Sequence, residues 1–181
     1  MRPGRARTPR VAACTAVAIV LAAAVAPPHA SAQPVELRAI ERVPTVTFDA
    51  ALVAARAALA DCRRRGATVA VAVVDRSGVP LVVLRDALAG PHTPDTAVRK
   101  AWTAVSFRSG TTELVGASAL SGPNAGLRQL PGVAILGGGL MIQAAGSLVG
   151  GIGVSGAPGG ELDDACAKAG IGAILEALEL G

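Results

Sequence analysis

The sequence of 181 residues has no tyrosine, two phenylalanines, one tryptophan, two histidines and three cysteines. So few aromatic side chains leave little to wall a deep, tight pocket for a large planar ligand, since such pockets are lined mainly by apolar and aromatic groups. The shortage of histidine thins the catalytic and metal-binding options in the same way. A Ser-His-Asp site is not ruled out by count, but no G-x-S-x-G elbow presents a nucleophile. Apolar length is also scarce: after Val25 no long stretch runs free of glycine and charge, and the run from Val11 to Val25 is shorter than the ~20 residues a spanning helix needs.

What stands at the N-terminus is ordered. Arg2, Arg5, Arg7 and Arg10 precede the apolar run, and small residues close it at Ala30-Ser31-Ala32, the pattern of a cleaved secretory signal. Residues 1–32 are expected to leave, with Gln33 as the new N-terminus. Cys14 precedes the apolar run, which argues against a lipobox, and Arg2 and Arg5 are not adjacent, which argues against a twin-arginine route. The four departing arginines reduce 17 basic residues to 13, which the 13 acidic residues balance, so the mature net charge is zero. The excess positive charge therefore belongs to the signal. It predicts neither a nucleic-acid partner nor, once the signal is gone, a membrane one. Arg63, Arg64 and Arg65 close a predicted helix, where cations suit the macrodipole.

The 149 residues that remain are the length of one domain. Residues 33–46 read as an extension and residues 47–181 as the domain. Thr47 caps a helix whose stripe is Leu52, Ala55, Leu59 and Cys62, ending at Arg65-Gly66. Two apolar strands follow, Ala67–Asp75 and Pro80–Asp86, joined by the turn Arg76-Ser77-Gly78. Thr93 is the expected cap of a second helix with Pro94 behind it, running to Phe107 and packing through Ala97, Ala101, Ala104 and Val105. A short helix is expected over 112–119, then three short strands at 133–136, 140–144 and 147–154, and a last helix over 161–180. The predicted class is α+β, a five-stranded antiparallel sheet with helices on both faces. Cys62 and Cys166 lie on the apolar stripes of two predicted helices, as two buried thiols or, in an oxidising compartment, as a disulfide.

Several motifs bear on chemistry. Gly151-x-Gly153-x-x-Gly156 fits a dinucleotide fingerprint, but its first two glycines lie inside a strand, so close backbone packing explains it better. The loop Gly156–Gly160 ahead of the last helix could cradle an anion; Glu161, Asp163 and Asp164 oppose that, and a helix-entry turn is preferred. Asp75, Asp86 and Asp95 are carboxylates with no visible pairing. Met141 is a soft donor on a strand, where methionine is ordinarily core. His92 is the one histidine left after maturation, in a loop just ahead of a helix, and its neutral imidazole is the best metal or heme-iron ligand available.

Separated blocks then resemble the GlcG/HbpS-like family of heme-binding proteins. They are Thr47–Ala51, Val71–Gly78, Leu84-Arg85-Asp86, Ala97-x-x-Lys100-Ala101-x-Thr103-Ala104 with Phe107, Pro131–Leu140, Val149–Gly156, and Asp163-Asp164-x-x-Ala167-x-x-Gly170. The resemblance runs from Thr47 to the C-terminus. It implies a profilin-like α/β/α sandwich, a homo-oligomer, and heme or a related tetrapyrrole as ligand, with a sensor protein as a possible partner. On that reading His92 is the axial ligand, Thr103 and Thr111 near Phe107 are weaker oxygen candidates, and Lys100, Arg85 and Arg99 are cations for propionates. The loop Leu84–Pro91 is two residues longer than the family's usual one. No catalytic residue is assigned and turnover is not expected. An enzyme acting on heme or a small molecule in the same cleft, and a ligand-free signalling accessory, are the alternatives.

Overall fold

In the computed structural model, residues 39–180 are described; the expected signal peptide and the first residues of the extension lie outside them. Helix α1 (Phe48–Arg64) starts where Thr47 accepts a hydrogen bond from the Ala50 N–H and buries Ala51, Ala54, Ala55, Ala58 and Cys62. Strands β1 (Ala70–Asp75) and β2 (Pro80–Arg85) follow as the expected hairpin. Its turn is held by Asp75, whose carboxylate accepts from the N–H groups of Ser77 and Val79. Next come α2 (Thr93–Phe107), α3 (Thr111–Ala117), a short 3-10 turn at Ala125–Gln129, strands β3 (Gly139–Ala144) and β4 (Ser147–Ser155), and helices α4 (Gly160–Gly172) and α5 (Leu175–Leu180).

The sheet has four antiparallel strands in the order β2-β1-β4-β3, not five. The missing strand is the one expected at 133–136. Its N–H groups bond elsewhere: Val133 donates to the Leu130 carbonyl at 3.2 Å and Ala134 to Thr103 Oγ1 at 2.9 Å, and two residues past the segment the Gly138 N–H donates to Asp164 Oδ1 at 2.6 Å. Gly138, at a φ of 113°, turns the chain into β3, and its carbonyl already accepts from the Val154 N–H of β4 at 2.9 Å. Two helix ends also differ from expectation. His92, not Thr93, occupies the cap of α2, because the Thr93 hydroxyl is turned back onto the Gly90 carbonyl. The last helix divides after Gly172, and Ile174 is buried at the break.

Strand alternation sorts the interior into two unlike faces. Val69, Val71 and Val73 of β1 and its lead-in, with Ile152 and Val154 of β4, meet α1 and α4 in the main apolar core. Between those helices the side chains of Cys62 and Cys166 are bonded as a disulfide, so the open choice between thiols and a bridge closes on the bridge. Ala70, Ala72 and Val74 of β1 turn the other way and meet Ala97, Ala101 and Val105 of α2. On that side β4 offers glycines: a Cβ on Gly151 would lie 2.9 Å from the Ala101 carbonyl oxygen, and one on Gly153 would collide with the Ala97 carbonyl oxygen. The Gly151-x-Gly153 pattern thus serves close approach of helix to sheet, as expected. Asp61, Asp86 and their arginines close one end of the domain. Arg65 and Arg64 bond Asp61 and hold its carboxyl below the usual carboxylate range, while Asp86 accepts from Arg63 Nε at 2.7 Å. The end of the extension is pinned by the Val46 N–H donating to the Val149 carbonyl at 2.8 Å. Among the described residues no helix is long and apolar enough to cross a membrane.

Candidate functional site

Where α2 begins, beside the loop that leads from β4 into α4, lies a cleft of about 460 Å³. Its position follows from the glycine face: α2 lies so close to β4 that its first turns and the loop after Ser155 share one depression. His92 stands on the rim, exposed, and its side chain makes no capping hydrogen bond. Leu88 and Leu136 flank the opening, the first 85 % and the second 56 % exposed. Two leucines left in solvent beside a cleft are apolar surface available to a ligand or to another subunit.

The inner wall is polar and buried. Lys100 is 3 % exposed; its ammonium donates to Asp163 Oδ2 at 2.8 Å and to the Val154 carbonyl at 2.9 Å. Asp163, also 3 % exposed, takes a further bond from the Ala157 N–H at 3.1 Å. Burial pushes the Asp163 carboxyl above its ordinary range, against the lowering pull of Lys100 and of the Ala157 N–H. The pair ties three elements together, α2 through Lys100, the end of β4 through Val154 and the head of α4 through Asp163. Ser155, 5 % exposed, belongs to the same wall.

The residues singled out in the sequence fall into two groups. His92 and Lys100 both line the cleft. Thr103 and Thr111 are fully buried and occupied: Thr103 Oγ1 accepts from Ala134, and Thr111 Oγ1 accepts from the Gly139 N–H at 2.8 Å. Arg85 is not part of the cleft wall and donates to the Ala89 carbonyl at 2.7 Å, bracing the loop beneath Leu88. Arg99 pairs with Asp95 one helical turn away. Among the described residues no three His, Cys, Asp or Glu side chains are gathered to hold a metal ion. The pairing of Asp163 with Lys100 and the place of Ser155 in the wall escaped the sequence reading, although a signal was present. Lys100 lies between Ala97 and Ala104 on the stripe that packs against the sheet, and a lysine there demands a buried carboxylate.

The model of the family described as "Haem degrading protein HbpS-like" matches residues 46–172, most of the chain. The chain belongs to the HbpS-like family. Among solved structures, a double mutant of HbpS from Streptomyces reticuli is 44 % identical to this HbpS-like chain with a TM-score of 0.70, covering 78 % of this chain and 97 % of that one. The Klebsiella pneumoniae protein ORFY is 29 % identical, with a TM-score of 0.74 and coverage of 77 % and 97 %. A PduOC:heme complex is 31 % identical, with a TM-score of 0.68 and coverage of 72 % and 95 %. No curated protein matches the chain. The resemblance read in the sequence is therefore correct at the level of family.

Proposed function

We propose that this HbpS-like chain is an exported, oligomeric protein that binds heme or a related tetrapyrrole, with the ligand's iron reached by the His92 imidazole. The observation that carries this reading is the cleft itself, which joins one exposed imidazole, two solvent-facing leucines and a buried cation in a space of about 460 Å³. That donor set fits a porphyrin laid against a shallow surface: leucines for the ring edge, a neutral nitrogen for iron, hydrogen-bond donors for carboxylates. Heme, when bound, supplies an iron centre for ligand or electron chemistry. The chain's own work is to offer the imidazole from the cap of α2 and to cover part of the ring from water. Thr103 and Thr111 are less suited to iron, because each hydroxyl already holds a backbone N–H in place. The profilin-like sandwich and a sensor-protein partner remain part of the proposal on the family resemblance. The bound heme in the PduOC structure supports the ligand class. The Cys62–Cys166 bridge supports export, since disulfides persist in oxidising compartments.

Titrating the mature chain with hemin tests the reading. A shifted, saturable Soret band is expected at micromolar hemin, and its absence rejects heme binding. In His92→Ala the band should move to a different ligand-field type; an unchanged spectrum rejects the ligand assignment alone. Export is checked by the mass of the secreted product, which should begin at Gln33, and the oligomer by its mass in solution. The family description favours a second reading, degradation of heme in the same cleft. It predicts loss of the Soret band under oxygen and a reductant, faster than for free heme and with release of iron.

A further inference from the structure

The inner wall of the cleft holds hydrogen-bond donors with nothing to bond. Every fully enclosed side-chain nitrogen and oxygen among the described residues has a partner. Ser155 is 5 % exposed and its hydroxyl has no partner among them, so that oxygen opens on the cleft. The register places it there: Gly151, Gly153 and Ser155 share the face of β4 turned toward α2, and Ser155 is the first of the three to carry a side chain. Beside it, the Lys100 ammonium has three N–H groups and gives two of them, to Val154 and Asp163. The third is unclaimed. The 13-residue helix α4 contributes its N-terminus: Gly159 caps it without a side chain, and its carbonyl accepts only from Leu162 and Asp163. The N–H groups of Gly160 and Glu161 are thus left with the helix dipole behind them.

We propose that Ser155, the third N–H of Lys100 and the first turn of α4 form a carboxylate-binding subsite in the wall of the cleft. The three acids at the head of α4, which count against an anion on sequence alone, are largely answered by their partners. Asp163 is neutralised by Lys100, and Asp164 is held by the Gly138 N–H and by Thr112. Glu161 is exposed to solvent, where water screens it. What remains is a patch of unclaimed N–H and O–H donors, one of them on the ammonium that Asp163 already pairs, suited to a single carboxylate. If the heme reading holds, that group would be a propionate, held by Ser155, Lys100 and the first turn of α4 in the cleft that His92 also lines. If it fails, a free small carboxylate is the occupant.

Two probes separate these sources. Amide shifts of the ligand-free chain titrated with acetate read the subsite without heme. Hemin against its dimethyl ester reads the propionate. Acetate should move the Gly160 and Glu161 amides, and hemin should bind about tenfold more tightly than the ester, the size of one charge-assisted hydrogen bond. Ser155→Ala should remove most of that preference. Gly159→Ser places a hydroxyl where a Cβ meets nothing within 4 Å, and that hydroxyl would cap the helix itself. It should also abolish the acetate shifts while leaving the fold intact. A preference for acid over ester that survives both substitutions overturns the subsite, as do unmoved amides together with equal binding of hemin and ester. Amides that respond to acetate in a chain that ignores hemin leave the subsite standing and end the heme reading.

Discussion

The two faces of the sheet are packed by different means. On the α1/α4 side, valines and isoleucines fill the space and a disulfide ties helix to helix, so volume and covalent closure hold the layers together. On the α2 side, β4 presents Gly151 and Gly153, the helix answers with alanines, and backbone lies almost on backbone. There is little volume to fill on that side, and cohesion comes from a buried ion pair and from side chains that bind backbone groups. The cleft sits where the second kind of packing ends. A face built by close approach and hydrogen bonding leaves polar groups at its margin; a face built from valine leaves none.

Four experiments would break or sharpen this contrast. Replacing both Cys62 and Cys166 by alanine opens a loop of sequence separation 104, and chain entropy alone puts the cost at about 5 kcal/mol. Chemical denaturation of the double variant measures it, and a loss near zero would mean that volume alone holds the α1/α4 side. Lys100→Met should cost about 3 kcal/mol at neutral pH, because it strands the Asp163 carboxylate in the interior. The deficit should shrink in acid, where Asp163 takes up a proton; a deficit independent of pH would deny the pair its role on the α2 side.

The third experiment is a matched pair. Gly153→Ala adds one methyl group against the backbone of α2 and should cost about 2 kcal/mol by forcing the helix off the sheet. Val154→Ala, one residue on and facing the other way, should cost a similar amount by leaving a cavity. Thermal melts in which only one of the two loses stability would show the faces to be less different than their packing implies. The smallest effect concerns Asp163. Its native carboxyl is raised above 3.8, the ordinary value, so the folded chain holds this proton to higher pH than the unfolded one does. This group's contribution to stability therefore falls as pH rises from about 3.8 through the raised value. Asp163→Asn should flatten that stretch of the stability curve, measured by denaturation at a series of pH values; an unaltered slope would place the carboxyl in its ordinary range.

How far the fold and the cleft could be read from the chain depends on where their signals reside. The hairpin, α1 and α2 were legible because apolar period and turn residues act over a few positions, as in Asp75-Arg76-Ser77-Gly78. The strand expected at 133–136 failed because Val133–Leu136 has strand composition while the Ala134 N–H is claimed by Thr103 and, just beyond, the Gly138 N–H by Asp164, from helices far away in sequence. His92 and Lys100 were visible as residue types. Their shared cleft was not, nor was the Ser155 hydroxyl that lies beside Lys100.

By itself, then, the sequence determined the class of elements, the family, the even charge of residues 33–181 and the glycine pattern that seats α2 on the sheet. These depend on local periodicity and composition, which the chain carries residue by residue. Tertiary structure alone decided that Cys62 meets Cys166, that Lys100 finds Asp163, and that the edge of the glycine face opens as a cleft. Each of those joins residues tens of positions apart, and only the packing of the layers sets the distances between them.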